Sequence, residues 1–232
     1  MGLRLLQPEK LSQVRDIIEE VSPDVMVSAS YGGWLPRWML QAAPFGVVNI
    51  HPSLLPMHRG AAPVIRAILQ GDRETGVSFM LTDSGWDTGD LIQVFTHPID
   101  SLVTAGELEN VLSSLAAEKL PEVLSGYLKG ELKPSPQEGS ESYAEKVTPE
   151  ESTLDWTLPA EEVNRAIRAF NPVPGARTAR AGAMLKVHSA RETRKSGSPG
   201  EILCLSPLTV ACGVNALEII ELQPQGKKRL TG

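Results

Sequence analysis

Residues 46–60, GVVNIHPSLLPMHRG, leave a folding chain few options. Gly46 opens a short apolar run, Val47 and Val48, that suits a strand buried in a parallel sheet. Asn49 and His51 follow at alternate positions, so an extended backbone points both side chains the same way. Pro52 and Pro56 end the strand, and Pro52 keeps His51 away from helical dihedrals. Gly60, with Pro63 near a first helical position, announces a helix. The stretch therefore predicts an amide and an imidazole side by side at the C-terminal end of a strand, where open α/β sheets bind their ligands.

The chain around it alternates in the same way. Leu11, Val14, Ile17, Ile18 and Val21 fall at helical spacing, and DVMVSAS (24–30) reads as a second buried strand. A short helix is expected over 36–41, another over 62–70, and strands over 77–81 and 91–96. Between those strands lies the polar loop TDSGWDTGD (82–90). Thr104 and Glu107 make a capping-box pattern for a long helix carrying Leu108, Val111, Leu112, Leu115 and Leu120. Strand alternating with helix predicts a Rossmann-like α/β fold with a mostly parallel sheet. That sheet has no strand to flank the one at 24–30 on its N-terminal side, and an unpaired buried strand would expose backbone and apolar groups.

GELKPSPQEGSES (130–142) has no periodicity and the composition of a linker. Beyond it, 159–170 is an amphipathic helix with Val163, Ile167 and Phe170 on one face. Short strands at 183–190, 201–205, 208–212 and 216–222, parted by Gly, Pro and Ser, suggest a small β-barrel or sandwich.

Charge separates the two halves. The net charge of −6 argues against a broad nucleic-acid footprint, yet residues 1–149 hold 11 Lys and Arg against 19 Asp and Glu, and residues 150–232 hold 11 against 9. The basic side chains gather in 177–195 and at Lys227, Lys228 and Arg229, as a solvated surface or as a patch facing a polyanion. The N-terminus MGLRLLQPEK lacks the apolar core of a signal peptide, and no apolar run reaches bilayer length. A cytoplasmic protein is expected, with no membrane partner. Cys204 and Cys212 are expected as free thiols, and neither they nor four scattered histidines make a metal site.

Asn49 and His51, with Asp87 from the 82–90 loop, suit acyl transfer to an amine. An amide N–H can hold a developing oxyanion, an imidazole can take the amine's proton, and a carboxylate can orient that imidazole. The alternative is strand-end polar groups satisfying turn amides, with Asp87 an ordinary turn residue. His58, His97 and His188 are expected on surfaces or in local hydrogen bonds. Trp86, inside the loop, is a candidate pocket wall.

NIHPSLLPMHRGAAP followed by GDRETGVSFMLTDSGWDTGD resembles the formyltransferase domain of the folate-dependent formyltransferase family. RGAAP (59–63), YAEK (143–146), LDW (154–156), RAFNPVPGA (168–176) and LEIIELQPQGKKR (217–229) are similar to the branch that formylates methionyl-tRNA. The resemblance implies that Asn49, His51 and Asp87 are the catalytic trio. It also implies that Ser53, Leu54, Leu55 and Pro56 border bound tetrahydrofolate, with 10-formyltetrahydrofolate as donor substrate and no metal. An incomplete catalytic domain over 1–130, a linker over 131–146 and a tRNA-contacting β-barrel over 147–232 are expected, in a monomer acting on initiator methionyl-tRNA for translation initiation. Family members carry further residues before a segment like GLRLLQPEKL and after LTG, so the chain is expected to be a fragment or to have a mis-assigned start. A sugar-nucleotide amine formyltransferase and an inactive fragment are the alternatives.

Overall fold

The computed structural model describes residues 5–180 and 182–231; residues 1–4 of the N-terminal segment read above, Ala181 and Gly232 lie outside the described residues. Helix α1 (Arg15–Val21) follows a short 3-10 turn and leads to β1 (Met26–Ala29), α2 (Arg37–Leu40) and β2 (Val47–His51). A two-residue strand β3 (Arg59–Gly60), helix α3 (Pro63–Gln70), and strands β4 (Glu74–Leu81) and β5 (Leu91–Pro98) follow. The long helix α4 (Ala105–Leu128) closes this half.

The strand order is β1-β2-β4-β5. β1 and β2 pair in parallel, with Ser28 opposite Asn49. β4 runs antiparallel to both β2 and β5. The α/β fold and its parallel N-terminal pair agree with expectation, but parallel pairing stops there, so the sheet is mixed rather than mostly parallel. For β4 and β5 the loop 82–90 accounts for the difference: it joins them with no helix between, and a parallel neighbour needs a long crossover. β1 is not buried on both faces as DVMVSAS suggested; its exposure alternates, and Val27 is turned to solvent. The apolar stripe of α1 is only half-covered, and Val21 is exposed.

The core of this half gathers Val48, Val64, Ile68, Phe79, Leu108 and Leu112. It clamps the middle of β2, leaving the C-terminal end of that strand to face open space. Helix α3 starts as its sequence requires, with Pro63 in the first turn, where its missing N–H costs nothing. Helix α4 starts at Thr104: Glu107 accepts from the Thr104 backbone N–H at 2.9 Å, and the Thr104 hydroxyl accepts from the Glu107 N–H at 3.4 Å. The Thr104 backbone N–H and hydroxyl, both donating to the Glu107 carboxylate, hold it below its usual range. Thr104→Ala is expected to destabilise the chain by about 1 kcal/mol, measured as a lower urea midpoint at unchanged slope.

Residues 131–146, composed like a free tether, lie along the first half instead. Ser135 bridges Leu91, and β6 (Tyr143–Ala144) pairs in parallel with β3. Helix α5 (Ala160–Ala169) then carries Val163 and Ile167 into a second core, under the strands β7 (Ala176–Arg180), β8 (Ala183–Thr193), β9 (Ile202–Leu205), β10 (Leu208–Ala211), β11 (Ala216–Pro224) and β12 (Leu230–Thr231). They form one antiparallel sheet in the order β7-β8-β11-β10-β9, with β12 on β11. Among the described residues no pairing joins β7 to β9, so this is an open sheet where a closed barrel was expected. Ile65 and Leu69 of α3 pack against both cores, which joins the halves through the contact between α3 and α5. Cys204 and Cys212 are both free. No described helix is long and apolar enough to cross a membrane.

Candidate active site

A cleft of ≈ 1160 Å³ opens at the C-terminal end of β2. Single small-molecule sites typically occupy about 300–1,000 Å³, so this one can hold a whole small molecule. Asn49, His51, Trp86, Asp87 and Gly60 line it, together with residues of α4. Because β2 is extended, Asn49 and His51 share a face, as their spacing required.

His51 is buried, and its two ring nitrogens have different surroundings. Nε2 lies 2.9 Å from the backbone carbonyl oxygen of His58. A carbonyl can only accept, so Nε2 carries the proton and donates. Nδ1 is thereby left facing Asp87, whose Oδ2 stands 3.7 Å away. That separation is too long for a direct hydrogen bond and short enough for charge to act across it. Burial holds the His51 pKa below its ordinary value, and the Asp87 carboxylate offsets part of that effect. The imidazole is therefore neutral at pH 7, with a free lone pair on Nδ1 and an anion placed to stabilise the cation that forms when a proton arrives.

Asp87 is fixed from two directions. Its backbone sits at φ +55, a conformation Asp tolerates better than most residues. Its Oδ2 accepts the backbone N–H of Gly60 at 2.8 Å. Gly60 itself is at φ +113, and a Cβ there would come within 2.9 Å of the Ala144 carbonyl, so only glycine fits. Two residues beyond Asp87, a Cβ on Gly89 would fall 1.7 Å from the Leu81 carbonyl, so the loop returns to the sheet through a position no side chain can occupy.

The turn after His51 packs against the sheet. Ser53, Leu55 and Pro56 are buried, Leu54 is half-buried, and none of the four lines the cleft. Ser78 on β4 explains why: its hydroxyl donates to the Ser53 carbonyl at 2.7 Å and accepts from the Leu55 N–H at 3.2 Å. The Ser53 hydroxyl in turn donates to the Met57 carbonyl at 2.7 Å. The turn is folded against the sheet behind His51 rather than toward the cavity.

Sequence reasoning missed the groups that hold the trio. The His58 carbonyl and the Gly60 amide belong to the backbone and leave no signature in residue type. His58, placed on a surface or in a local bond by its sequence, is buried; its side chain meets Asp72 at 2.6 Å and its φ of +58 turns the carbonyl toward His51. His188 is also buried, bonded to Gln223 at 3.0 Å. Trp86 lies beside Trp34, ring centroids 6.2 Å apart, both half-exposed at the cleft. Among the described residues no three His, Cys, Asp or Glu side chains converge as metal ligands would.

The chain matches known proteins along its whole length. A family model described as "Formyl transferase" matches residues 6–124, and one described as "Formyl transferase, C-terminal domain" matches residues 146–232. A methionyl-tRNA formyltransferase of Neisseria meningitidis is 44% identical over 239 aligned residues, which cover 100% of this chain and 77% of the relative. Among solved structures, HypX from Aquifex aeolicus in complex with tetrahydrofolic acid aligns at TM-score 0.69 and 22% identity, over 94% of this chain and 40% of HypX. An N-formyltransferase from Helicobacter canadensis, in complex with folinic acid and dTDP-3-aminofucose, aligns at TM-score 0.62 and 20% identity, over 74% of this chain and 65% of that one. At those identities the two structures share the fold alone.

Proposed function

This chain belongs to the formyl transferase family, and on that premise we propose that it moves the formyl group of 10-formyltetrahydrofolate onto the α-amino group of methionine on initiator tRNA. The observation that carries the reading is His51: one nitrogen committed to a carbonyl, the other aimed across a cleft at Asp87.

In this mechanism the acceptor amine enters as the neutral nucleophile and attacks the formyl carbon. The Asn49 amide N–H donates to the formyl oxygen as it gains negative charge. Nδ1 of His51 takes the proton that the amine nitrogen must lose, and Asp87 steadies the resulting imidazolium. The C–N bond to the folate then breaks, and its nitrogen leaves with a proton, so formylated amine and tetrahydrofolate are the products. Ser53, Leu54, Leu55 and Pro56, in the turn that follows His51, border the bound folate in this reading.

Residues 1–130 carry this chemistry in the proposal, residues 131–146 connect, and residues 147–232 meet the tRNA. The reaction belongs in the cytoplasm, with translation initiation, and the chain acts as a monomer. Lys227, Lys228 and Arg229 are exposed, and Arg229 is partly engaged by Glu221 at 3.3 Å. Replacing all three with alanine is expected to weaken tRNA binding and to flatten the slope of log affinity against log salt by about two. An unchanged slope would remove these residues from the contact.

The deciding assay offers 10-formyltetrahydrofolate with methionyl initiator tRNA or with an amino-sugar nucleotide. Formyl transfer to the tRNA alone is expected. Transfer to the sugar alone would replace the proposed acceptor, and transfer to neither would mark this chain as inactive.

A further inference from the structure

The connecting segment reaches into the site through one side chain. Gln137 donates from its amide nitrogen to the carbonyl oxygens of Asp87 and Gly89, each at 2.9 Å. Its amide oxygen accepts from Arg59, from Nε at 3.1 Å and from Nη2 at 2.8 Å. Arg59 is buried, and its remaining arm bonds Glu141, four residues beyond Gln137. The next residue, Gly60, holds the Asp87 carboxylate. A closed circuit results: Arg59 orients Gln137, Gln137 holds the Asp87 backbone, and the Gly60 amide holds the Asp87 side chain.

That circuit has a structural task. Asp87 at φ +55 occupies the left-handed region, which a non-glycine residue keeps most securely where its surroundings enforce it. The far side of the loop is already tied, since Asp83 accepts from the Gly85 N–H and the Thr88 hydroxyl, each at 2.8 Å. Gln137 supplies the ties at Asp87 and Gly89 themselves. An amide suits this place because it must give two hydrogen bonds to carbonyls and take two from a guanidinium, and no other side-chain type of that length does both.

We propose that Gln137, oriented by Arg59, is a positioning residue that fixes the Asp87 carboxylate opposite His51, which makes the segment between the two halves part of the transfer machinery. This rests on the reading of Asp87 given above. Gln137 touches no reacting atom and acts through Asp87.

The test follows the His51 imidazole by NMR titration, and formyl transfer beside it, in the whole chain. Asp87 and His58 are the charged and titratable groups acting on His51 among the described residues. Asp87→Asn sets the reference: loss of the carboxylate is expected to lower the His51 pKa and slow transfer. Gln137→Ala is expected to move the His51 titration in the same direction and to cut kcat by up to about 100-fold, as displacement by about 1 Å does. Gln137→Met keeps the length and bulk without the hydrogen bonds, and should behave alike if the alanine variant does not fold. In the Asp87→Asn background either change should add no more than about twofold, because two groups on one path do not add. Losses that multiply in the double variant, or a Gln137 variant that titrates as wild type does, would overturn the proposal. If Asp87→Asn itself left His51 unmoved, the reading of Asp87 would fall first. The titration decides between these outcomes at any level of turnover.

Discussion

His51→Ala is expected to lower kcat by about 10²–10⁴-fold, the range general acid–base catalysis supplies, with a much smaller change in the KM for the folate donor. The reason lies in how the ring is committed. Nε2–H is spent on the His58 carbonyl, so only Nδ1 can take the amine's proton, and the cleft offers no second imidazole in its place. Removing the ring also strands that carbonyl, at a cost of about 1–3 kcal/mol, so rates are compared per folded molecule. A variant that kept its rate within about tenfold of wild type would remove His51 from the proton path.

The pH dependence carries the same assignment with a definite sign. Burial depresses the His51 pKa below 6.5, and Asp87 limits the depression. Transfer needs both the neutral ring and the neutral amine, so once the rate is corrected for the amine's own protonation it should hold at neutral pH and fall as pH drops through the depressed His51 value. Asp87→Asn removes the limiting charge and should move that acid limb to lower pH while lowering the plateau. Stability follows the same group. A histidine whose native pKa lies below its unfolded value binds protons more readily unfolded. Its contribution is therefore complete above about pH 6.5 and declines as pH falls from there through the native pKa.

What the chain disclosed in advance depended on how far each contact reaches along it. The cap at Thr104 and Glu107, the first turn at Pro63, and the shared face of Asn49 and His51 depend on residues within a few positions of one another, and all were legible. The direction of β4 beside β2 was not, because the helix between them permits a parallel or an antiparallel return; that of β5 could have been read from the short 82–90 loop, which leaves no room for a crossover. The inward fold of Ser53–Pro56 was hidden for a different reason. It depends on Ser78, 25 residues from Ser53 and small enough to have no sequence signature. Gln137 was hidden by its setting: a polar side chain in a Pro/Gly/Ser/Glu stretch carries no periodicity, and its partners lie 48 to 78 residues away. The meeting of Asn49, His51 and Asp87 at one cleft could thus be anticipated, while the groups that hold them required coordinates.

Phe79→Ala is expected to destabilise the chain by about 3–5 kcal/mol, the cost of emptying an aromatic core position. Phe79 has no exposed surface and meets Phe95 edge to face, centroids 5.9 Å apart at 88°. It stands opposite Ile50 on β2 and Gln93 on β5, between the two strands that flank β4. Domains of this kind hold roughly 5–15 kcal/mol in total, so the loss consumes a large share, and it falls beside the site. Ser78, the preceding residue, anchors the turn behind His51, and Ile50 separates Asn49 from His51 along β2. Phe79→Leu keeps most of the volume and should cost under about 2 kcal/mol. Urea unfolding should show a much lower midpoint for alanine than for leucine, at similar slope. If the packing of β4 also sets the site, kcat per folded molecule should fall for alanine and recover for leucine. Equal rates in both variants would show that the ends of β2 and the 82–90 loop hold their geometry without this core contact.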